Sequence, residues 1–120
     1  MRPLYHPPIE DASVQGVLYA LSDPIRVQIF AEIVARDIPQ PCCALMQLTG
    51  KAVPKSTLSQ HFRILREAGL IYSERKGVEV RNTARCEELK THFGGLIEEI
   101  LSAYAAEKSA RDIKAKEPGT

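Results

Sequence analysis

The sequence predicts a mainly α domain that carries one β-hairpin, an α+β arrangement in the order ααααββα. Three observations lead there: apolar residues recur at helical spacing through the first half, the period changes to alternation after Gly69-Leu70, and helical spacing returns from Leu89. A chain of 120 residues has room for a single domain of this size. With 44% apolar and 26% charged residues it has the composition of an ordinary globular protein, which excludes a disordered or fibrous chain.

The first ten residues hold Pro3, Pro7 and Pro8 and read as an extended arm (1–10) ahead of a domain expected over 11–106. Val14, Val17, Leu18 and Leu21 then mark one apolar face of a first helix. Ser22-Asp23-Pro24 supplies a cap and a proline suited to a first helical turn, so a second helix starts there, with Ile25, Ile29, Phe30, Ile33 and Val34 as its stripe. Asp37-Ile38-Pro39 and Pro41 end it. A short third helix fits Cys43 to Leu48, closed by Thr49-Gly50.

Ser56 to Gly69 is the most informative segment. At 100° per residue Leu58, Phe62, Leu65 and Gly69 share one side, while Ser56, Ser59, Gln60, Arg63 and Glu67 share the other. Short hydroxyl and amide side chains near a helix start are the type that reaches base edges, and an arginine one turn on suits phosphate. Ser56 or Thr57 could equally serve as the cap of this helix, with Gln60 completing a Thr-x-x-Gln box. Ile71 to Arg75 and Val78 to Asn82 then read as two strands around Lys76-Gly77, with Arg75, Lys76 and Arg81 at or near the tip. A basic hairpin directly after such a helix is a wing. The stripe Leu89, Phe93, Leu96, Ile97, Ile100, Leu101 and Tyr104 marks a long last helix, with Gly94-Gly95 as a kink. A charged, weakly apolar tail from 107 to 120 is expected to be flexible.

Charge follows the same division. Residues 51 to 85 hold eight basic side chains and three acids, a local charge of +5, which leaves −4 on the remainder of a chain whose net charge is +1. A basic block in an acidic frame fits a polyanion-binding face. The basic residues with this role are Lys55, Arg63, Arg75, Lys76 and Arg81, beside Ser56, Thr57, Ser59 and Gln60 on the helix; His61, at the edge of the apolar face, reads as a packing and hydrogen-bonding residue that can also touch DNA. No apolar run approaches the length of a membrane span and no signal pattern opens the chain, so a cytoplasmic protein without a membrane partner is expected. Three cysteines, two of them adjacent, do not form a secreted disulfide framework.

The element order and two motifs resemble the ArsR-type (arsenic-repressor-like) winged helix-turn-helix family. Leu18-Tyr19-Ala20-Leu21-Ser22-Asp23-Pro24-Ile25-Arg26 is similar to the family's ALADPTR opening. The run Ser56 to Ile71 is similar, nearly position for position, to its SxxSxHLxxLxxAGLV segment, and Phe93-Gly94-Gly95-Leu96 to an FPGLL turn. The resemblance covers about residues 12 to 105. It implies a homodimer joined by the first and last helices, here through Val14, Val17, Leu18, Leu96, Ile97, Ile100, Leu101 and Tyr104. It further implies recognition helices in successive major grooves of double-stranded DNA, an inverted-repeat operator, and repression by occluding a promoter.

The signal is less defined. Metal-sensing members carry Cys-x-Cys before the recognition helix or Asp, His and Glu ligands on the last helix. Here Cys42-Cys43 lies near the first location and His92 stands alone near the second. Adjacent side chains on a helix diverge by 100°, so the pair needs a third ligand to hold a soft ion, for which Cys86 is the distant candidate. These three are the candidate sensor residues for a metal ion or oxidant, against the reading that at least one of the pair is a small buried cysteine filling the core; no resident cofactor or metal is expected, and a small-molecule effector stays open. Enzymatic function has no support: Ser59 and His61 are two apart on a helix and face different ways, and no glycine-rich phosphate loop exists. A winged-helix protein-protein adaptor is the rival reading.

Overall fold

The structure, a computed structural model, describes residues 4–36, 40–41 and 53–116. After a 3₁₀ turn at Ile9–Asp11 come α1 (Val14–Leu21), α2 (Pro24–Ala35), a two-residue strand β1 (Gln40–Pro41), α3 (Lys55–Glu67), the hairpin β2 (Ile71–Lys76) and β3 (Glu79–Ala84), α4 (Cys86–Phe93) and α5 (Leu96–Lys116). The third helix expected over Cys43 to Leu48 lies outside the described residues.

Local chemistry accounts for the starts and stops. Ser13 Oγ accepts from the Gly16 N–H at 3.0 Å and caps α1. Asp23 Oδ1 accepts from the N–H groups of Ile25 and Arg26 at 2.8 and 3.1 Å and caps α2, with Pro24 in the first turn as its sequence foretold. The end of α3 is a glycine stop. Gly69 takes φ +85°, its N–H bonds the Arg66 carbonyl at 3.0 Å and the Leu70 N–H bonds the Leu65 carbonyl at 3.1 Å. This paired closure needs a left-handed residue, and a Cβ at Gly69 would also lie 3.2 Å from that of Ala12.

Apolar faces from every layer meet in one core: Val17 and Ala20 from α1, Ile29, Phe30 and Ile33 from α2, Leu58, Phe62 and Leu65 from α3, then Leu70, Ile71, Leu89 and Ile97. Of the predicted stripes, Ile29, Phe30 and Ile33 of α2 and Leu58, Phe62 and Leu65 of α3 are buried and Ile25 and Val34 half-buried, while Arg26 and His61 join the buried faces. No helix among the described residues is long and apolar enough to cross a membrane.

Five expectations need correction. The hairpin turn is Gly77-Val78, one residue later than expected, with Lys76 opposite Glu79 and Gly77 at φ +63° in the first turn position, where a tight hairpin of this register favours glycine. β1 adds a third strand, pairing antiparallel with β3, so the order is β1-β3-β2. Gly94 breaks the last helix in two instead of kinking it: at φ +66°, ψ −131° its backbone leaves the helical region altogether. Helix α5 continues to Lys116, well into the tail expected to be flexible. Alanines at 103, 105, 106 and 110 and an i,i+4 pair between Glu107 and Arg111 at 3.7 Å favour helix even where nothing apolar is buried. Finally α3 begins at Lys55 with Pro54 at its cap position, so neither Ser56 nor Thr57 caps it.

The N-terminal arm is pinned to the base of the hairpin. His6 Nε2 accepts from the Ser73 N–H at 2.9 Å, and Arg85 Nη1 donates to the Pro7 carbonyl at 2.9 Å. The Arg85 guanidinium lies 4.4 Å from the Tyr72 ring centre and pairs with Glu88 at 2.7 Å, and the Tyr72 hydroxyl donates to the other Glu88 oxygen. Among the described strands β2 is at the edge, and His6 covers one of its outward amides.

Candidate nucleic-acid interface

Helix α3 turns Leu58, Phe62 and Leu65 into the core and leaves Lys55, Ser56, Thr57, Ser59, Gln60, Arg63 and Glu67 exposed. Its outer face is therefore the hydroxyl- and amide-rich one that the spacing predicted. His61 does not belong to it. At 8% exposure it faces inward, with Nδ1 3.3 Å from Arg26 Nη1. Two residues from Ser59 and one from Gln60, its side chain is carried to the core side by the helical rotation.

Directly after the Gly69 stop, the hairpin presents its charges on two faces. The register sets Glu74 opposite Arg81 and Lys76 opposite Glu79, so these four share one face, while Arg75 stands opposite Val80 on the other. Lys76 pairs with Glu74 at 3.1 Å, Arg81 with Glu79 at 3.2 Å and, on α3, Arg63 with Glu67 at 3.1 Å. All six side chains are exposed. Phosphate must thus displace a carboxylate at each of these cations. Val78 at the turn is fully exposed.

The surface expected between two copies is only partly on the outside. Val14 and Leu18 on α1 are exposed, Leu18 at 52%, and Leu96, Ile100, Leu101 and Tyr104 on α5 are half-buried. Val17 and Ile97, by contrast, are core residues of the protomer, because the helix faces they occupy close over α2 and α4.

Cys42 and Cys43 lie outside the described residues. Cys86 is the first residue of α4, exposed at the rim of an apolar cleft between Val34, Leu89, Ile97 and Leu101. Partial burial, helped by Glu98, pushes its thiol above the ordinary range, which disfavours the thiolate. His92 Nε2 donates to the Ala12 carbonyl at 3.0 Å, and its ring stands edge-on to Phe93. Among the described residues no group of three or more His, Cys, Asp or Glu side chains could hold a metal ion.

Sequence reasoning missed Arg26, His6 and Arg85 as organisers. Arg26 was visible in the opening motif, but nothing in the local pattern signals that a charged residue on α2 is buried.

Residues 21–73, from the end of α1 into β2, match the family model described as a helix-turn-helix domain, HTH_20. No curated protein matches. Among solved structures the chain is similar to an ArsR-like transcriptional regulator from Rhodococcus sp. RHA1, at 26% identity over 88% of this chain and 93% of that one, TM-score 0.53. It is also similar to the transcriptional repressor BigR from Xylella fastidiosa, at 25% identity over 67% and 85% with TM-score 0.53. HlyU from Vibrio cholerae shares the fold at 24% identity over 76% and 90%, TM-score 0.59. Residues 21–73 are thus a helix-turn-helix segment by the family model, and with a helical core, an exposed polar helix and a following hairpin the chain is similar over most of its length to an ArsR-like transcriptional regulator and a transcriptional repressor.

Proposed function

We propose that the chain is a transcriptional repressor that binds an inverted-repeat operator in duplex DNA as a homodimer. The observation that carries this reading is the continuity of an exposed Ser/Thr/Gln face on α3 with a cation-bearing hairpin across the single Gly69 stop. Ser56, Thr57, Ser59 and Gln60 take base edges, with Gln60 able to pair bidentately with adenine. Lys55, Arg63, Arg75, Lys76 and Arg81 take phosphate or the minor groove. Two copies joined through Val14 and Leu18 of α1 and the α5 stripe present two such faces, so symmetry makes the operator a repeat with half-sites about one helical turn apart.

Competition binding separates the roles. Gln60→Ala should cost about 1–3 kcal/mol on the operator and narrow its margin over scrambled duplex. Lys76→Ala should weaken both equally and make the salt dependence shallower by nearly one unit of slope. Identical behaviour of the two variants would show that the reading face is assigned wrongly. Absence of any salt-dependent DNA binding by the wild type would favour a protein-protein adaptor.

A further inference from the structure

The two sequence blocks that resemble the family's motifs touch at one buried point. Arg26, in the first turn of α2, is 7% exposed. Its Nε donates to the Ala20 carbonyl at 2.8 Å and its Nη2 to the Tyr19 carbonyl at 3.2 Å, both in the last turn of α1. Its Nη1 faces His61 Nδ1 at 3.3 Å and lies 4.0 Å from Asp23 Oδ2. A guanidinium has donors only, so His61 Nδ1 accepts and the ring proton sits on Nε2. One side chain thus ties the end of α1, the cap of α2 and the middle of α3.

We infer that Arg26 is a positioning residue for sequence reading: through His61 it fixes the rotation of α3 relative to α1. The apolar seam of Leu58, Phe62 and Leu65 holds α3 down, but apolar contact is non-directional and leaves small rotations and slides of a helix weakly opposed. A buried hydrogen bond to a charged group has a direction and is costly to leave unmade. His61 is next to Gln60 in α3, so a rotation at His61 moves the outward Gln60 side chain with it. Helix α1 carries the exposed Val14 and Leu18. The angle that Arg26 sets between α1 and α3 therefore becomes, in a symmetric dimer, the relative placement of the two reading faces. This inference rests on the proposed function. Base contacts require close placement and phosphate contacts tolerate more, so the residue should act on discrimination and not on general DNA affinity.

The test uses the full chain and a duplex that the wild type selects from a random-sequence pool, with scrambled duplex as competitor. Arg26→Met keeps the stem and removes the donors, His61→Phe keeps the packing and removes the acceptor, and His61→Gln keeps an acceptor. Folding is checked by circular dichroism and melting, and His61→Phe carries the comparison should Arg26→Met fail to fold. The selected-over-scrambled ratio should drop by about tenfold in Arg26→Met and in His61→Phe, the order of one lost base contact, with the salt slope unchanged. The double variant should be no worse than either single, because both remove the same contact, and His61→Gln should stay near wild type. A purely structural role would lower the melting temperature and leave the ratio of the folded protein intact. Wild-type discrimination that survives undiminished in the folded variants overturns the positioning role alone; a wild type that selects no duplex overturns the proposed function itself.

Discussion

Neutralising Glu74 and Glu79 should raise affinity for any duplex DNA, because each carboxylate occupies a cation of the hairpin in the free protein. The Lys76–Glu74 and Arg81–Glu79 pairs have N···O separations of 3.1 and 3.2 Å. At such distances two unit charges attract by about 1.3 kcal/mol in a water-like medium. The entropy of holding two exposed side chains reduces the net to about 0.2–1 kcal/mol. Taking about 0.5 kcal/mol per pair, Glu74→Gln or Glu79→Gln should tighten DNA binding about 2.3-fold and the double variant about fivefold, since the changes act on separate cations. Operator and scrambled duplex should gain alike, because phosphates carry no sequence, and the gain should shrink as salt screens the exposed pairs. Fluorescence anisotropy with both duplexes over a salt series measures this. Unchanged or weaker binding, or a gain confined to the operator, would refute the idea that these acids hold the wing cations back from phosphate.

Asp23→Ala removes two hydrogen bonds to the first turn of α2 and should cost about 1–2 kcal/mol in urea unfolding at neutral pH. Burial pushes the Asp23 carboxyl up, but the N–H groups of Arg26 and Ile25 and the Arg26 charge bring it below its ordinary value. Its contribution is therefore present above the unfolded carboxylate value of about 4 and lost as pH falls through the lower folded value, so the gap between variant and wild type should close in acid. His6 behaves oppositely in charge and alike in direction. Burial, then Arg66 and Arg85, holds it below the ordinary histidine value, and its Nε2 must be unprotonated to accept from Ser73. The arm contact should persist above about pH 6.5 and weaken as pH falls toward the lower folded value, read as faster hydrogen exchange at the Ser73 amide; exchange that does not respond to pH would rule this out. Leu18→Asp, which places a charge on the exposed α1 stripe, should convert a sedimenting dimer to a folded monomer, and a wild type already monomeric at micromolar concentration would defeat the dimer assignment.

What the sequence determined by itself is what short-range chemistry determines. Asp23-Pro24 starts α2, Ala68-Gly69-Leu70 ends α3, Gly77 turns the hairpin, and the 3.6 and 2 periods sort core from surface in α2, α3 and β2, because each depends on residues a few positions apart. The polar outer face of α3 was legible for the same reason. Only the tertiary structure decided which polar residues lie inside. Arg26 and His61 are 35 positions apart, and His6 meets Ser73 across 67, so no periodicity links them. It likewise assigned Val17 and Ile97 to the protomer's core and not to the outer surface, since helical spacing identifies an apolar stripe without saying which neighbour covers each part of it. The placing of Arg81 on the face of Lys76 and away from Arg75 came from strand register, and register is a relation between two strands that neither sequence segment contains alone.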